Sequence, residues 1–173
     1  GVADLNGDLQ PDFLMSSWKS VSLVVSGDAL GIPGTWVNDL SIVADPENRN
    51  QVYGWGSDFG DVDNDSDLDA VVLFGYWSTY DNPGDPDVQV DGLWLQGDDG
   101  TFEQVQANPE WSLNDKGHGR GFILADVNND GWLDVIKREI NAPSPLYLSQ
   151  CGTEAWARVT LRAPAPNTHA IGA

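Results

Sequence analysis

Short apolar runs separated by polar turns make up most of this chain. The clearest run is 70–76, AVVLFGY, in which β-branched and aromatic side chains follow one another without helical spacing. Other candidate strands lie at 13–15, 20–25, 36–43, 92–96, 101–106, 122–124, 135–140, 146–148 and 156–161. The segment GDDG at 97–100 predicts a hairpin turn. No stretch sustains a 3.6-residue period, so the pattern predicts an all-β protein.

An aspartate-rich loop precedes three of these runs. Residues 61–69 read DVDNDSDLD and place five aspartates in nine positions. Residues 4–12, DLNGDLQPD, and 126–134, DVNNDGWLD, carry acidic or amide side chains at the same positions 1, 3, 5 and 9. One such loop is typical of a solvated acidic turn, but three copies favour a common binding role.

The side chains of these loops favour a hard cation. Carboxylates packed this closely repel one another unless a cation lies among them. Ca²⁺ prefers oxygen ligands in flexible geometry. No imidazole or thiolate lies nearby, so zinc and softer metals are poorly suited. The loops therefore predict calcium binding.

The flanking residues exclude an EF-hand. That motif requires a bidentate acid at position 12, which here is Met15, Val72 or Lys137. Each loop also leads straight into an apolar run typical of a strand. The loops begin at residues 4, 61 and 126, and Gly56 and Gly121 each lie five residues before the first aspartate of their loop. Repetition of this kind indicates propeller blades or another radial repeat.

Three segments resemble FG-GAP/VCBS repeats, the calcium-loop blades of integrin-type β-propellers: GVADLNGDLQPDFLM, GSDFGDVDNDSDLDAVVL and GFILADVNNDGWLDVI. The resemblance implies propeller-type blades over residues 1–150, as part of a larger or assembled propeller. It implies up to three Ca²⁺, bound by the side chains at positions 1, 3, 5 and 9 and by the main-chain carbonyl at position 7. The implied ligands are Asp4, Asn6, Asp8, Gln10, Asp12, Asp61, Asp63, Asp65, Asp67, Asp69, Asp126, Asn128, Asp130, Trp132 and Asp134.

Position 6 of the loops departs from the family pattern, which usually has glycine there for a sharp turn. Gly131 follows the pattern, Ser66 departs mildly and Leu9 departs more. A positive φ at Leu9 would carry a steric cost because leucine has a Cβ atom. The first loop is therefore the weakest match of the three.

The last part of the chain, 151–173, resembles the start of an ASPIC/UnbV module. The matching segments are WARVTL at 156–161, PN at 166–167 and AIGA at 170–173. The first of these predicts a strand. Cys151 is the single cysteine, so the chain has no internal disulfide, and we expect a buried small side chain there. Because the sequence opens within a repeat, we expect a longer parent protein.

Composition narrows the choice of partners. The formal net charge is −19, from 27 acidic against 8 basic residues, which excludes nucleic acid and anionic membrane as favoured partners. No apolar run approaches the roughly 18 residues of a membrane-spanning helix. A long acidic segment at 78–90 could carry function, although a solvated loop is the simpler interpretation.

Two classes of function remain open. The first is a secreted or cell-surface calcium-binding module with a structural, adhesion or interaction role, whose partner is an extracellular protein or glycan. Its open strand edges would also allow copies of the chain to join in a fibre or assembly. The second is a domain of a polysaccharide-acting enzyme, because paired carboxylates are plentiful. No catalytic motif occurs, and His118 is better explained by packing, so we predict no catalytic residue.

Overall fold

The computed structural model describes residues 1–17, 21–24, 36–39, 53–75, 90–105, 113, 117–140, 142–150 and 152–169, with 21–24 and 36–39 described for their backbone. This part of the chain contains eleven strands and no helix. The strands are β1 (Val2–Ala3), β2 (Asp12–Ser16), β3 (Val21–Val24), β4 (Trp36–Asp39), β5 (Gly54–Gly60), β6 (Asp69–Phe74), β7 (Gly92–Gln96), β8 (Phe102–Gln104), β9 (Gly119–Ala125), β10 (Asp134–Glu139) and β11 (Leu146–Tyr147). The predicted all-β class is confirmed for these residues.

The strands form three antiparallel sheets, none of them closed into a barrel. Sheet I has the order β1-β2-β3-β4, sheet II has β5-β6-β7-β8, and sheet III has β9-β10-β11. Neighbouring strands in each sheet are also consecutive in the chain, as in a meander. The predicted hairpin turn at 97–100 joins β7 to β8, with Gly100 in a left-handed conformation at φ 76°.

Each aspartate-rich loop joins the first two strands of its sheet. The closing pair of the hairpin is the same in all three: Ala3 opposite Asp12, Gly60 opposite Asp69, and Ala125 opposite Asp134. The repeat seen in the sequence therefore has a structural counterpart, with one loop per sheet at an equivalent position.

Sheet II lies between the other two sheets, and this position explains why every residue of β6 is buried. On one side, Leu14 of sheet I packs in a cluster with Ala70, Val72, Phe74 and Trp94. On the other side, Val71 and Leu93 pack against Phe122 and Leu124 of sheet III. A strand buried on both faces reads as a continuous apolar run, which is what 70–74 shows.

The first strands of sheets II and III approach closely because both carry glycine. A Cβ atom on Gly56 would lie only 3.1 Å from the Cα of Gly121. These are the two glycines that precede their loops by five residues. The glycine at position 56 thus reflects packing between sheets, since a side chain there would press on β9, whereas a Cβ atom on Gly121 would meet no atom within 4 Å.

The predicted strand at 156–161 is wrong, because these residues have no regular secondary structure. The segment is held by side-chain contacts with the third loop, described below. The rest of the expected strands overlap the observed ones. Residues 78–89, Cys151 and residues 170–173 lie outside the described residues. No helix long and apolar enough to cross a membrane occurs in the described part of the chain.

Candidate metal centre

The three loops share one internal scaffold of hydrogen bonds. The amide of the fifth residue donates to Oδ1 of the first: Asp8 to Asp4 at 3.1 Å, Asp65 to Asp61 at 3.1 Å, and Asp130 to Asp126 at 3.0 Å. The amide of the sixth residue donates to the other oxygen of the same carboxylate: Leu9 to Asp4 at 2.8 Å, Ser66 to Asp61 at 3.1 Å, and Gly131 to Asp126 at 3.1 Å. The first aspartate therefore folds the loop around its own carboxylate.

The last aspartate of each loop anchors it to the sheet. Its Oδ2 accepts the amide of the second residue: Leu5 to Asp12 at 2.8 Å, Val62 to Asp69 at 2.8 Å, and Val127 to Asp134 at 2.9 Å. In the second and third loops we also see Oδ1 accept an amide from beyond the hairpin. Gln96 donates to Asp69 at 3.0 Å, and Ser149 donates to Asp134 at 2.9 Å. All three carboxylates are fully buried.

The backbone reverses at positions 4 and 6, and both positions have positive φ in every loop. Position 4 is Gly7, Asn64 or Asn129, with φ between 60° and 73°. Position 6 is Leu9 at 65°, Ser66 at 83° or Gly131 at 91°. The steric cost anticipated for leucine is therefore present, and the Leu9 side chain is almost fully exposed. The hydrogen bonds of the loop impose the same turn in all three copies, including those with a non-glycine residue at these positions.

The central loop brings three carboxylates together. Asp61, Asp63 and Asp65 each offer an oxygen within 4.8 Å of the others. Partial burial, together with the neighbouring charges of Asp65 and Asp61, raises the pKa of Asp63. A bound cation would offset the repulsion at Asp63, so these three residues fit a divalent metal. Oxygen ligands alone favour a hard cation.

Asp69 lies close to this triplet but is held differently. Burial raises the pKa of its carboxyl to about 7, although the amides of Val62 and Gln96 oppose the shift, and the charges of Asp63 and Asp65 add to it. Both of its oxygens already accept backbone amides. Its observed role is to anchor the loop, and its role as a ligand stays a prediction.

The outer loops differ from the central one at position 3, where both have asparagine. Asn6 donates from Nδ2 to Oδ2 of Asp8 at 3.3 Å, and Asn128 donates to Asp130 at 2.7 Å. The side-chain amide thus donates a hydrogen bond to the neighbouring carboxylate, where the central loop has a further negative charge. The ligand roles of the outer loops stay predictions.

The backbone amide of the position-7 residue forms the same hydrogen bond in each loop. Gln10, Asp67 and Trp132 each donate to the carboxylate of the fifth residue, at 2.8, 2.9 and 2.9 Å. This leaves their predicted role as carbonyl ligands untested. Trp132 is buried, and a Cβ atom on Gly152 would overlap its ring, so the side chain packs against the segment after β11.

The second and third loops are in contact, and the C-terminal segment crosses them. Asn64 donates to the carbonyl of Gly131 at 3.2 Å. The indole of Trp156 lies against Gly131, and Arg158 places Nη2 3.4 Å from Oδ2 of Asp126. A cavity of about 550 Å³ lies between the two loops and residues 155–159. The predicted ligand Asp126 therefore already has a cation beside it.

A second group of charges lies inside the fold, where sequence analysis did not anticipate it. Lys137 is buried, with Nζ 2.5 Å from both Asp91 Oδ2 and Glu139 Oε1. Counting from the last aspartate of the loop, Lys137 and Glu139 occupy the places that Val72 and Phe74 occupy in sheet II. Aligning the repeats on this aspartate would have shown two charged residues at core positions.

An arginine stacks on a tryptophan at the opposite end of β5 and β9 from the loops. The guanidinium of Arg120 lies 4.1 Å from the ring centroid of Trp55, whose Nε1 donates to the carbonyl of Gly75 at 2.8 Å. The two residues are equivalent in the repeat. Burial lowers the pKa of Arg120, which the negative charge of Glu139 opposes.

No protein-family model matches this chain, and no curated protein matches it. The resemblance to FG-GAP/VCBS repeats and to the ASPIC/UnbV module therefore rests on the residues quoted for it and stays a prediction.

Proposed function

We propose that this chain is a calcium-binding β-repeat module whose three loops hold up to three Ca²⁺ and thereby stabilise the fold. The observation that carries the proposal is the convergence of Asp61, Asp63 and Asp65 in a loop whose hydrogen-bonded scaffold recurs twice more. The propeller-type blade arrangement implied by the resemblance is part of the same proposal.

Three features of the loops support a structural role for the ion. Each loop closes the hairpin that opens its sheet, so an ion there would join two strands. The anchoring aspartates are buried and begin the second strand of each hairpin, so each loop is fixed to its sheet. Burial and the charges of Asp65 and Asp61 raise the pKa of Asp63, and a bound cation would offset this repulsion. Binding free energy would therefore appear as folding free energy.

The proposed residues for each site follow the repeat. Side chains at positions 1, 3, 5 and 9 and the carbonyl at position 7 would hold the ion. Calcium would supply positive charge among the carboxylates, and its proposed role is structural. We expect the central loop to bind most tightly, because it has an aspartate at position 3 where the outer loops have asparagine.

We further propose that the module works outside the cell, in adhesion or in binding an extracellular protein or glycan. Extracellular calcium modules bind the ion with dissociation constants of about 10⁻⁴–10⁻³ M. The formal net charge of −19 suits calcium-rich surroundings, where bound ions offset self-repulsion. The exposed Trp55, with Arg120 stacked on it, is a suitable contact for such a partner. Catalysis is not part of this proposal.

Calorimetric titration and thermal unfolding of the metal-free protein test the proposal together. Calcium should bind at up to three sites and raise the melting temperature, and EGTA should reverse both effects. Magnesium at equal concentration should stabilise less, since it demands a stricter geometry.

Variants then assign the sites. Asp65→Ala should remove the tightest site and most of the stabilisation by calcium, whereas Asp98→Ala in the exposed turn between β7 and β8 should leave both unchanged. A melting temperature independent of calcium would refute the structural role. A normal stoichiometry in Asp65→Ala would refute the assignment of the central loop.

A further inference from the structure

The three sheets share one register, so equivalent positions can be compared. The last aspartate of each loop opens the second strand of its hairpin, and the residues after it are therefore equivalent in β2, β6 and β10. In sheets I and II, we call the side that packs on the sheet formed later in the chain the forward face. The equivalent side of sheet III has the same name. The opposite side of each sheet is its rear face.

The residue two places after the last aspartate lies on the forward face of every sheet. Leu14 of sheet I is 2% exposed because it packs on sheet II. Val71 of sheet II is fully buried, in a cluster that includes Phe122 of sheet III. Ile136 of sheet III is 38% exposed, and no further sheet in the described part of the chain covers it.

The rear face shows the reverse. Phe13 and Met15 of sheet I lie one and three places after the last aspartate and are 37% and 42% exposed. Their equivalents in sheet II, Ala70 and Val72, are fully buried in the cluster that contains Leu14. The same positions are thus buried where a sheet has a neighbour and exposed where it has none.

Each open face carries a continuous apolar row rather than single exposed side chains. In sheet III, Ile136 is paired with Ile123 on one side and Leu146 on the other, and all three are exposed. In sheet I, Val2 is paired with Phe13, and both are exposed. Apolar rows of this kind on both outer sheets mark interaction surfaces.

We propose that a second copy of this chain covers these surfaces, with the forward face of sheet III in one copy packed on the rear face of sheet I in the other. This pairing repeats the interface that already occurs twice within the chain, between sheets I and II and between sheets II and III. The forward face of sheet III is therefore equivalent to a face that packs on a rear face within the chain, and sheet I has such a rear face exposed. The inference rests on the packing of the sheets and not on metal binding.

The number of sheets favours a closed pair of copies. A head-to-tail interface generates a ring if the rotation closes and a filament if it does not. The described part of each copy supplies three sheets, and closed radial folds contain about four to eight blades. Two copies would therefore complete a ring of six sheets with two identical interfaces, leaving no apolar face open.

Sedimentation equilibrium in calcium and at moderate ionic strength measures the assembly. The mass should change from one chain to two as the concentration rises and should then remain constant. A single-chain mass at every concentration overturns the proposal, and growth beyond two chains overturns the closed ring. A monomer that is nevertheless stabilised by calcium would overturn this inference and leave the proposed function intact.

Two variants test the faces, and their mixture tests the arrangement. Phe13→Asp alters the rear face and Ile136→Asp the forward face, and each variant alone should be monomeric because both interfaces of its ring carry the charge. Mixing the two should restore a pair, since one of the two interfaces then has no substitution. A mixture that stays monomeric overturns the head-to-tail arrangement.

The matched control is Val159→Asp, which changes an exposed valine of the C-terminal segment and should leave the mass at two chains. Circular dichroism and the melting temperature establish that each variant folds. A pair that persists in folded Phe13→Asp and in folded Ile136→Asp overturns the assignment of the two faces.

Discussion

Lys137 of sheet III and Asp91, which immediately precedes β7 of sheet II, form an ion pair whose Nζ–Oδ2 distance is 2.5 Å. Glu139 places Oε1 at the same distance from Nζ, and all three side chains are buried. The lysine therefore binds one carboxylate of its own strand and one carboxylate across the contact between two sheets. Its aliphatic stem occupies the place that Val72 occupies in sheet II.

Removing this cation should be strongly destabilising. Lys137→Met leaves two buried carboxylates without their shared partner, which we expect to lower the free energy of unfolding by about 3–5 kcal/mol. Chemical denaturation in calcium measures the change. Arg162→Met, which removes an exposed cation from the C-terminal segment, should change stability by less than about 0.5 kcal/mol.

The triple variant Asp91→Asn, Lys137→Met, Glu139→Gln separates charge from packing. It removes the charges together and should recover much of the loss. If Lys137→Met alone left the free energy of unfolding unchanged, the ion cluster would not contribute to stability.

Replacing Leu9 by glycine should stabilise the protein. Leu9 has φ 65° and an almost fully exposed side chain, so it carries the cost of a left-handed conformation without gaining burial. We expect Leu9→Gly to raise the free energy of unfolding by about 1 kcal/mol. Leu9→Ala keeps the Cβ atom and should give no comparable gain in the same denaturation experiment. Equal effects of the two substitutions would contradict an origin in backbone strain.

Arg158 should weaken calcium binding at the third loop. Its Nη2 lies 3.4 Å from Oδ2 of Asp126, a proposed ligand, so its charge would repel an incoming cation. We expect Arg158→Gln to tighten that site by about fivefold at low ionic strength, and less in high salt. Calorimetric titration measures the affinity, with Arg162→Gln as the control. A weaker site in Arg158→Gln would mean that the arginine orients the ligand instead of competing with the ion.

The stability of the metal-free protein should depend on pH through Asp69. Burial raises the pKa of this carboxyl to about 7, above its ordinary value of 3.8, so the folded state binds a proton more readily than the unfolded state. Folding should therefore gain stability as the pH falls from about 7 towards 3.8. In EGTA, the melting temperature of the wild type should rise relative to that of Asp69→Asn as the pH falls across this window. Parallel pH profiles for the two proteins would contradict the shift.

The loops could be predicted from the sequence because their structure is local. Spacing of Asp61, Asp63 and Asp65 places alternate side chains on the inside of a tight turn, and the anchoring residue Asp69 recurs at a constant offset. Even the strain at Leu9 was foreseeable, since position 6 carries glycine in the third loop. Interactions within nine residues depend little on the remainder of the chain.

Contacts between sheets could not be predicted in the same way. Lys137 reads as a surface residue by its type, and only the packing of sheet III on sheet II buries it beside Asp91. The segment 156–161 reads as a strand, yet Trp156 and Arg158 instead lie against the third loop. Partners distant in sequence decide these outcomes, because side-chain type does not specify which surface a residue meets.

The sequence by itself determined the all-β class, the three loops and their position before a strand, since periodicity and turn chemistry act over short distances. Only the tertiary structure decided which faces of the sheets are covered. Phe13 and Ala70 occupy equivalent places after equivalent loops, yet one is exposed and the other fully buried. The physical reason is that burial depends on a neighbouring sheet. Among the described residues, sheet II has such a neighbour on both sides and each outer sheet has one on a single side.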